Sequence, residues 1–437
     1  MMKWHIEILL AFSLLIAASA FGQNEPPLLK VEDAIKIALE NNYDILVVKN
    51  NAEIARLNNT PGNAGMLPSI SAQVADNFSY NGLNQRLSSG SDVAVNGVQG
   101  NALTAGVVLN WTVFDGARMF LEKKRLSKIQ DIGDLQFRDQ VQSTISDVVA
   151  SYYSIVSYKQ QSVSLREAIR YNEDRLNLAR NKFDIGVSAK TDLLQAQVDA
   201  NTRKSDLLQL ELNIENAKHR LNELMSRAPN TTFDVIDTVI IATPTSLGEA
   251  VARAQDQNLQ LQVLRRQFEV ARLNKAEFNS QRWPRITLNG GYYFSRANNS
   301  AGFQILNQTY GPQVGFSAVM PLFNGLNINR QVKVAAVEMR SADIRINSWS
   351  LSINRQLFDA YREFSTLNEQ RKLAEQSVQL SRENLFIATE RFRLGGTNTL
   401  EVRQAQLSFE EVSYRYFQVL YNLKLNETRV KLLLSAL

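Results

Sequence analysis

Four segments of the chain alternate between apolar and polar residues with a period of two. Because successive side chains of a β-strand point to opposite faces, this pattern predicts four strands, each with one apolar and one polar face. Asp76 is the one charged residue at an apolar position of the pattern, and we expect it near the rim of the sheet or beside a β-bulge. The four segments cover residues 70–80, 103–113, 286–294 and 314–322.

The length of these segments suits a membrane. A strand of about 12 residues, rising ~3.3 Å per residue and tilted by about 40°, covers roughly 30 Å, which is the thickness of a bilayer core. A soluble β-sandwich shows the same alternation, but the four strands are separated by long helices that could not cover them. Aromatic residues at the strand ends fit the girdles of a membrane sheet: Tyr80, Trp111, Tyr292 and Tyr310.

Four strands cannot close a sheet on their own. An open sheet in lipid leaves unpaired edge amides, each of which costs several kcal/mol. Eight strands make a barrel filled by its own side chains, whereas a larger number leaves a lumen. The pattern therefore favours an assembly of three or more copies.

Most of the remaining chain has helical periodicity. No proline lies between Arg118 and Phe183, and apolar residues recur there at alternating steps of four and three, which is coiled-coil spacing. About 65 residues at ~1.5 Å each give a helix of roughly 100 Å. Shorter helices are predicted over 31–59 and 191–224. A soluble coiled-coil rod would share this periodicity, but it leaves the four strands unexplained.

The chain repeats this plan. Residues 55–58 (Ala-Arg-Leu-Asn) recur as 271–274, and residues 114–116 (Phe-Asp-Gly) recur as 323–325 (Phe-Asn-Gly). Such self-similarity predicts an internal duplication. The predicted first repeat, 23–226, contains a hairpin over 68–113, a long helix over 117–183 and a helix over 191–225. After a linker over 227–245, the second repeat, 246–437, contains a hairpin over 284–322 and helices over 326–392 and 399–435.

The first residues predict secretion. Residues 1–22 combine Lys3, an apolar run and a small-residue cleavage motif before Gln23, which is typical of a signal peptide. No later stretch reaches the roughly 18 apolar residues of a transmembrane helix. The chain has no cysteine, so we expect neither a disulfide nor a lipid anchor at the mature N-terminus.

Composition and motifs argue against catalysis. The 48 basic and 43 acidic residues are scattered along the chain, which is typical of solvated helix faces and not of a nucleic-acid site. The sequence has two histidines and no phosphate-binding loop or nucleophile motif. We therefore predict a protein that is not an enzyme and has no catalytic residue, cofactor or metal site.

Several motifs occur twice and in the same order along the chain. They are Leu67-Pro68-Ser69-Ile70 and Trp283-Pro284-Arg285-Ile286, the Phe-Asp/Asn-Gly turns, and Phe183-Asp184-Ile185-Gly186 and Phe392-Arg393-Leu394-Gly395 with the acids Asp192 and Glu401. In the order and double occurrence of these motifs, the chain resembles the TolC-like outer-membrane efflux proteins over essentially the whole mature chain. The resemblance implies an α+β membrane protein in the outer membrane: a homotrimer with a twelve-stranded transmembrane β-barrel, four strands per chain, continued by a long periplasmic α-helical coiled-coil barrel.

The resemblance also implies a site. In this family two glycine turns form the periplasmic tips on which the adaptor (membrane fusion) protein docks. The residues themselves predict that Gly186 and Gly395 end their helices, since glycine readily adopts the left-handed conformation found there. The implied docking residues are Ile185, Gly186, Val187, Leu394, Gly395 and Gly396.

Two acids follow the tips. In the family, acids after the second tip line the narrowest point of the tunnel and favour cations. Glu401 matches that position, whereas Gln404 replaces the second acid. Our hypothesis is a single ring of Glu401 at the periplasmic constriction, with Asp192 capping its helix or bridging the closed state.

The predicted function is an outer-membrane exit duct of a tripartite export system. An adaptor and an inner-membrane RND or ABC transporter would be its partners, and small toxic molecules its cargo. A type I protein secretion duct is the alternative within export. An outer-membrane structural or adhesion protein is the alternative outside it, disfavoured because the segments 81–101 and 296–309 read as short polar loops.

Overall fold

The computed structural model describes residues 27–302 and 304–437, so the predicted signal peptide lies outside the described residues. Helices and one four-stranded sheet make up the fold, which is of the predicted α+β class. In chain order the elements are β1 (Leu28–Leu29), α1 (Val31–Asn41), α2 (Tyr43–Asn58), β2 (Ser69–Arg86), β3 (Asp92–Asp115), α3 (Arg118–Asp184), α4 (Lys190–Leu224), β4 (Asp234–Val235), α5 (Leu247–Gln257), α6 (Leu259–Ser280), β5 (Arg285–Asn299), β6 (Leu306–Val319), α7 (Asn327–Arg393) and α8 (Thr399–Leu433).

The chain forms two compact units. The helical unit comprises Asp139–Asn258, Ile353–Leu437 and the described residues up to Leu46, and the sheet unit comprises Val47–Arg138 and Leu259–Ser352. None of the described helices is both long and apolar enough to cross a membrane.

The sheet is antiparallel, with strand order β2-β3-β5-β6. Its register aligns the alternating positions, so that Val107 lies between Ala72 and Tyr292. One face therefore collects the apolar residues of all four strands, and Val74, Phe78 and Phe316 on it are exposed. Among the described residues, β2 and β6 each pair with a single strand.

The strands are longer than predicted, at 18, 24, 15 and 14 residues. In β2 and β3 the ladder continues to the pair Arg86 and Asp92, through a segment interpreted from the sequence as a loop. A bidentate ion pair between these two side chains, with N···O distances of 2.6 and 2.7 Å, closes the hairpin. Because backbone pairing does not require apolar side chains, β2 and β3 extend beyond the segments in which apolar and polar residues alternate.

Asp76 lies within β2, opposite Leu103. Its carboxylate accepts a hydrogen bond of 2.5 Å from Asn101 Nδ2, and the register shift of this strand lies between Asn81 and Leu83. Asp76 therefore lies near the middle of β2, and both expected positions, near the rim and beside a bulge, are wrong. A cross-strand amide provides the polar contact instead.

The predicted helix over 31–59 is two helices, interrupted at Asn42. The buried Asn42 side chain donates to Leu224 O at 2.9 Å and accepts from the backbone N–H groups of Asp44 and Ile45 at 3.0 and 3.2 Å. Asn258 likewise separates α5 from α6, and its side chain donates to Leu433 O at 3.1 Å. Each asparagine ends one helix and links it to the end of another.

The core of the helical unit forms around the middle of α3. Val148, Tyr152 and Ile155, three of the positions with coiled-coil spacing, are buried there. Tyr152 Oη donates to Leu29 O at 2.9 Å and accepts from Ile236 N at 3.0 Å. The short parallel pair of β1 and β4 is thereby held against α3.

Candidate functional site at the two interhelical turns

Two short turns in the helical unit connect the long helices. Turn 1 (residues 185–189) joins α3 to α4, and turn 2 (residues 394–398) joins α7 to α8. The structure places all six predicted docking residues in these turns, three in each. The two predicted acids, Asp192 and Glu401, lie in the first turns of the helices that follow.

Both long helices end in a Schellman motif. In turn 1 the N–H groups of Gly186 and Val187 donate to Phe183 O and Lys182 O at 2.9 and 2.8 Å. Turn 2 repeats this with Gly395 and Gly396, whose N–H groups donate to Phe392 O and Arg391 O at 3.2 and 2.8 Å. Gly186 and Gly395 have φ of +75° and +78°, a conformation that disfavours side chains with a Cβ.

The turns expose apolar side chains. Ile185, Val187 and Leu394 are 72%, 73% and 80% exposed, and no atom lies within 4 Å of a Cβ built on Gly186 or Gly395. Apolar surface gathered at a helix end, next to backbone that another chain can approach closely, is typical of a protein-binding site.

The ends of α3 and α7, which precede the two turns, are in contact. Lys182 Nζ donates to Phe392 O at 3.3 Å and lies 4.2 Å from the centre of the Phe392 ring. Phe392 belongs to a small buried cluster with Leu385, Val402 and Phe409. This cluster fixes the ends of α3, α7 and α8 to one another.

Glu401, in the first turn of α8, is bound to turn 2 and to the end of α7. Its backbone N–H donates to Asn398 Oδ1 at 3.1 Å, which caps α8. Its carboxylate accepts from Arg391 Nη1 at 2.6 Å and from the Thr397 hydroxyl. Arg391 Nη2 also donates to Gly396 O at 3.2 Å, so one guanidinium connects the last turn of α7, turn 2 and the first turn of α8.

Asp192 has a different environment. Its carboxylate accepts from Ser188 Oγ at 2.9 Å, and among the described residues no lysine or arginine forms a salt bridge with it. The N-cap residue of α4 is Ala189, which has no side-chain oxygen. The hydrogen bond from Ser188 to Asp192 therefore joins turn 1 to the first turn of α4.

Sequence reasoning missed a group of charges, one buried and the others partly buried, farther along the helices. The buried Arg175 side chain forms an ion pair with Asp199, and Arg403 Nε lies 3.3 Å from the same carboxylate. Arg203 is 2.8 Å from Glu410, and burial raises the pKa of Glu410 to about 6. Charged residues on long helices resemble a solvated surface in sequence, and no local signal distinguishes this group.

No group of three or more histidine, cysteine, aspartate or glutamate side chains in residues 27–302 and 304–437 is placed to hold a metal ion. What the turns offer is a surface: exposed apolar residues, accessible backbone and two carboxylates, one of them paired.

Comparisons with known proteins follow this geometry. The model of the family described as outer membrane efflux protein matches residues 34–227 and 250–436. Outer membrane protein TolC of Escherichia coli is 21% identical over 361 residues, which cover 78% of this chain and 71% of that protein. Alkaline protease secretion protein AprF of Pseudomonas aeruginosa is 24% identical over 382 residues, covering 84% and 72%.

A solved structure shows the same fold. The outer membrane protein VceC of Vibrio cholerae superposes with a TM-score of 0.78 at 16% identity, covering 93% of this chain and 96% of that one.

Proposed function

Because this chain belongs to the outer membrane efflux protein family, we propose that it is the outer-membrane exit duct of an export system. Three copies form a homotrimer whose twelve strands close into a transmembrane β-barrel, continued by an α-helical coiled-coil barrel in the periplasm. The mature chain follows a cleaved signal peptide, residues 1–22, and is not lipidated.

The open sheet is the single observation that carries this proposal. One of its faces exposes apolar residues, and its outer strands β2 and β6 each lack a second neighbour within the described chain. Lipid cannot satisfy the free backbone groups of such edges. Pairing β6 of one copy with β2 of the next would satisfy them and enclose a lumen.

An internal duplication accounts for the layout, with repeats over 23–226 and 246–437 joined by the linker 227–245. Four positions with positive φ recur at a spacing of 209 residues, which supports this interpretation. The pairs are Gly116 and Gly325, Ala117 and Leu326, Gly186 and Gly395, and Ser226 and Ser435.

The two turns are the proposed docking surface of a periplasmic adaptor protein. Their exposed Ile185, Val187 and Leu394 side chains provide apolar contact area, and Gly186, Gly395 and Gly396 allow close approach of the partner.

The energy for transport comes from an inner-membrane RND or ABC transporter, and the duct itself catalyses no reaction. Small toxic molecules are the proposed cargo, and Glu401 and Asp192 line the periplasmic constriction.

Protein secretion is the second candidate. The similarity to the alkaline protease secretion protein, which extends over 84% of the chain, favours a type I secretion duct. Both candidates use the same barrel, helices and turns, and they differ only in the inner-membrane partner and the cargo.

Purification in detergent and reconstitution into planar bilayers test the proposal. We expect a trimer by light scattering and stable single-channel conductance. A monomer that is soluble without detergent and forms no channels would overturn the duct. Deletion of the gene then separates the cargoes: sensitivity to a panel of toxic compounds supports efflux, and loss of a protein from the medium supports secretion.

A further inference from the structure

Corresponding positions of the helices that flank the two turns carry the same charges but make different contacts. At a spacing of 209 residues, Lys182 corresponds to Arg391 and Asp192 to Glu401. In turn 2 the cation and the acid form an ion pair, with 2.6 Å between Arg391 Nη1 and Glu401 Oε1. Beside turn 1, Lys182 instead reaches Phe392. Within the described part of the chain, the Asp192 carboxylate accepts a side-chain hydrogen bond from the Ser188 hydroxyl alone.

The geometry of Arg391 orients Glu401. The guanidinium is bonded to both the Glu401 carboxylate and Gly396 O, and the Thr397 hydroxyl binds the second carboxylate oxygen. These contacts turn the carboxylate back against its own turn. Both side chains of the pair remain about half exposed, at 53% for Arg391 and 45% for Glu401, so ions in the lumen can reach them.

A paired carboxylate acts weakly on passing ions. The field of a charge whose partner lies a few ångströms away falls off much faster than that of a single charge, and salt screens what remains. Lys182 offers Asp192 no such partner. The two acids, which look equivalent in sequence, therefore differ in the charge that they present.

We propose that Arg391 is a positioning residue that masks Glu401, so that the Glu401 carboxylate acts on ions in the duct only when Arg391 is removed or displaced. The proposal rests on the proposed function, since it requires a trimeric duct with turn 2 at its narrow end.

A double-mutant cycle in planar bilayers tests it. Channels of the full chain are measured with Arg391→Gln, Glu401→Gln and the double variant, and block by hexaamminecobalt(III) added from the helical side is the readout. Arg391→Gln should tighten block about tenfold in the presence of Glu401, because it releases the carboxylate. In the Glu401→Gln background the same change should alter block by no more than about twofold, the effect of one screened charge.

Lys182→Gln is the matched control, since it removes the same charge from the corresponding position of turn 1. Its effect on block should be the same with and without Glu401. Arg391→Lys should restore block to within about twofold of the wild type, because a cation remains to hold the carboxylate. Arg391→Met offers a second neutral replacement if Arg391→Gln does not assemble into trimers.

If Arg391→Gln changed block equally with Glu401 and with Glu401→Gln, the masking role would be overturned, because Arg391 and Glu401 would then act on the blocker independently. Tightened block in Arg391→Lys would overturn it as well. If the wild-type chain itself forms trimers with no conductance, the proposed duct fails together with the inference, whereas normal wild-type channels with additive variants refute the inference alone.

Discussion

At the scale of single residues, the glycines of the two turns differ in backbone conformation. Gly186 and Gly395 have the left-handed φ of a residue that ends a helix. Gly396 follows at a position without a positive φ, where an added Cβ would meet Arg391 O at an ordinary 3.5 Å. The three glycines of the proposed docking surface therefore differ in the free energy that an added side chain costs.

Alanine substitution should separate these glycines. Gly186→Ala and Gly395→Ala each force an alanine into the left-handed region and should lower the free energy of unfolding by about 1 kcal/mol. Gly396→Ala, the control, should leave it unchanged or slightly raised. Denaturant midpoints of the trimer in detergent measure the difference, and an equal loss in all three variants would contradict a backbone origin.

A partly buried acid pair in the sheet unit predicts a pH dependence. The Arg125 guanidinium lies between Glu122 and Glu277, with N···O distances of 2.5 and 3.0 Å. Burial, with the hydrogen bond and the charge of Glu122, raises the pKa of Glu277 to about 7. This folded-state pKa lies above the ordinary value of 4.5, so protonation of Glu277 favours the folded state. Its contribution to stability is fully present below pH 4.5 and is lost as the pH rises through about 7.

Glu277→Gln should therefore stabilise the protein at pH 8, by about 1–3 kcal/mol, and the gain should vanish near pH 4.5. Glu269→Gln is the control from the same helix. Lys128, 3.2 Å away, and Arg266 outweigh burial and lower the pKa of Glu269, so this variant should lose stability at neutral pH. Unfolding curves of both variants at several pH values measure these changes in stability. If Glu277→Gln stabilised the protein equally at every pH, the raised pKa of Glu277 would be refuted.

At the scale of elements, periodicity predicted the type of each segment better than its ends. The alternation of β2 fails after Tyr80, yet the strand continues to Arg86, because hairpin pairing depends on the backbone and not on apolar side chains. The interruptions at Asn42 and Asn258 were also missed. Their cause is a contact with a helix end more than 170 positions away in the chain, which no local pattern contains.

Asn42 and its neighbour offer a direct test of this helix junction. Asn42→Ala removes the bond to Leu224 O and both bonds to the start of α2, and it leaves buried backbone groups unpaired. We expect a loss of about 2–3 kcal/mol in unfolding free energy. Asn41→Ala, where the exposed side chain bonds only within its own helix, should cost less than about 0.5 kcal/mol. Similar midpoints for the two variants would contradict the junction.

At the scale of the whole molecule, the sequence predicted an incomplete sheet and hence an assembly, and the family match confirms the resemblance from which the trimer was inferred. The number of copies did not follow from the strands themselves. It depends on the tilt and stagger at which strands of different chains meet, and neither quantity is encoded in the alternation of one chain. The same limit applies to the candidate site. The glycine motifs in the sequence predicted the two turns, but no sequence pattern predicted the ion pair of Arg391 with Glu401.

The orientation of the sheet in the proposed barrel can be tested with two adjacent residues of β2. Val74 lies on the apolar face and is exposed, whereas Gln73 points to the opposite face and pairs with Gly106. If the apolar face meets lipid, Val74→Arg should cost about 2–4 kcal/mol in the membrane and reduce the yield of folded trimer. Gln73→Arg should assemble normally and shift the ion preference of the channel towards anions, because its charge enters the lumen. Trimer yield and reversal potentials measure the two effects, and normal assembly of Val74→Arg with defective Gln73→Arg would reverse the assignment of the faces.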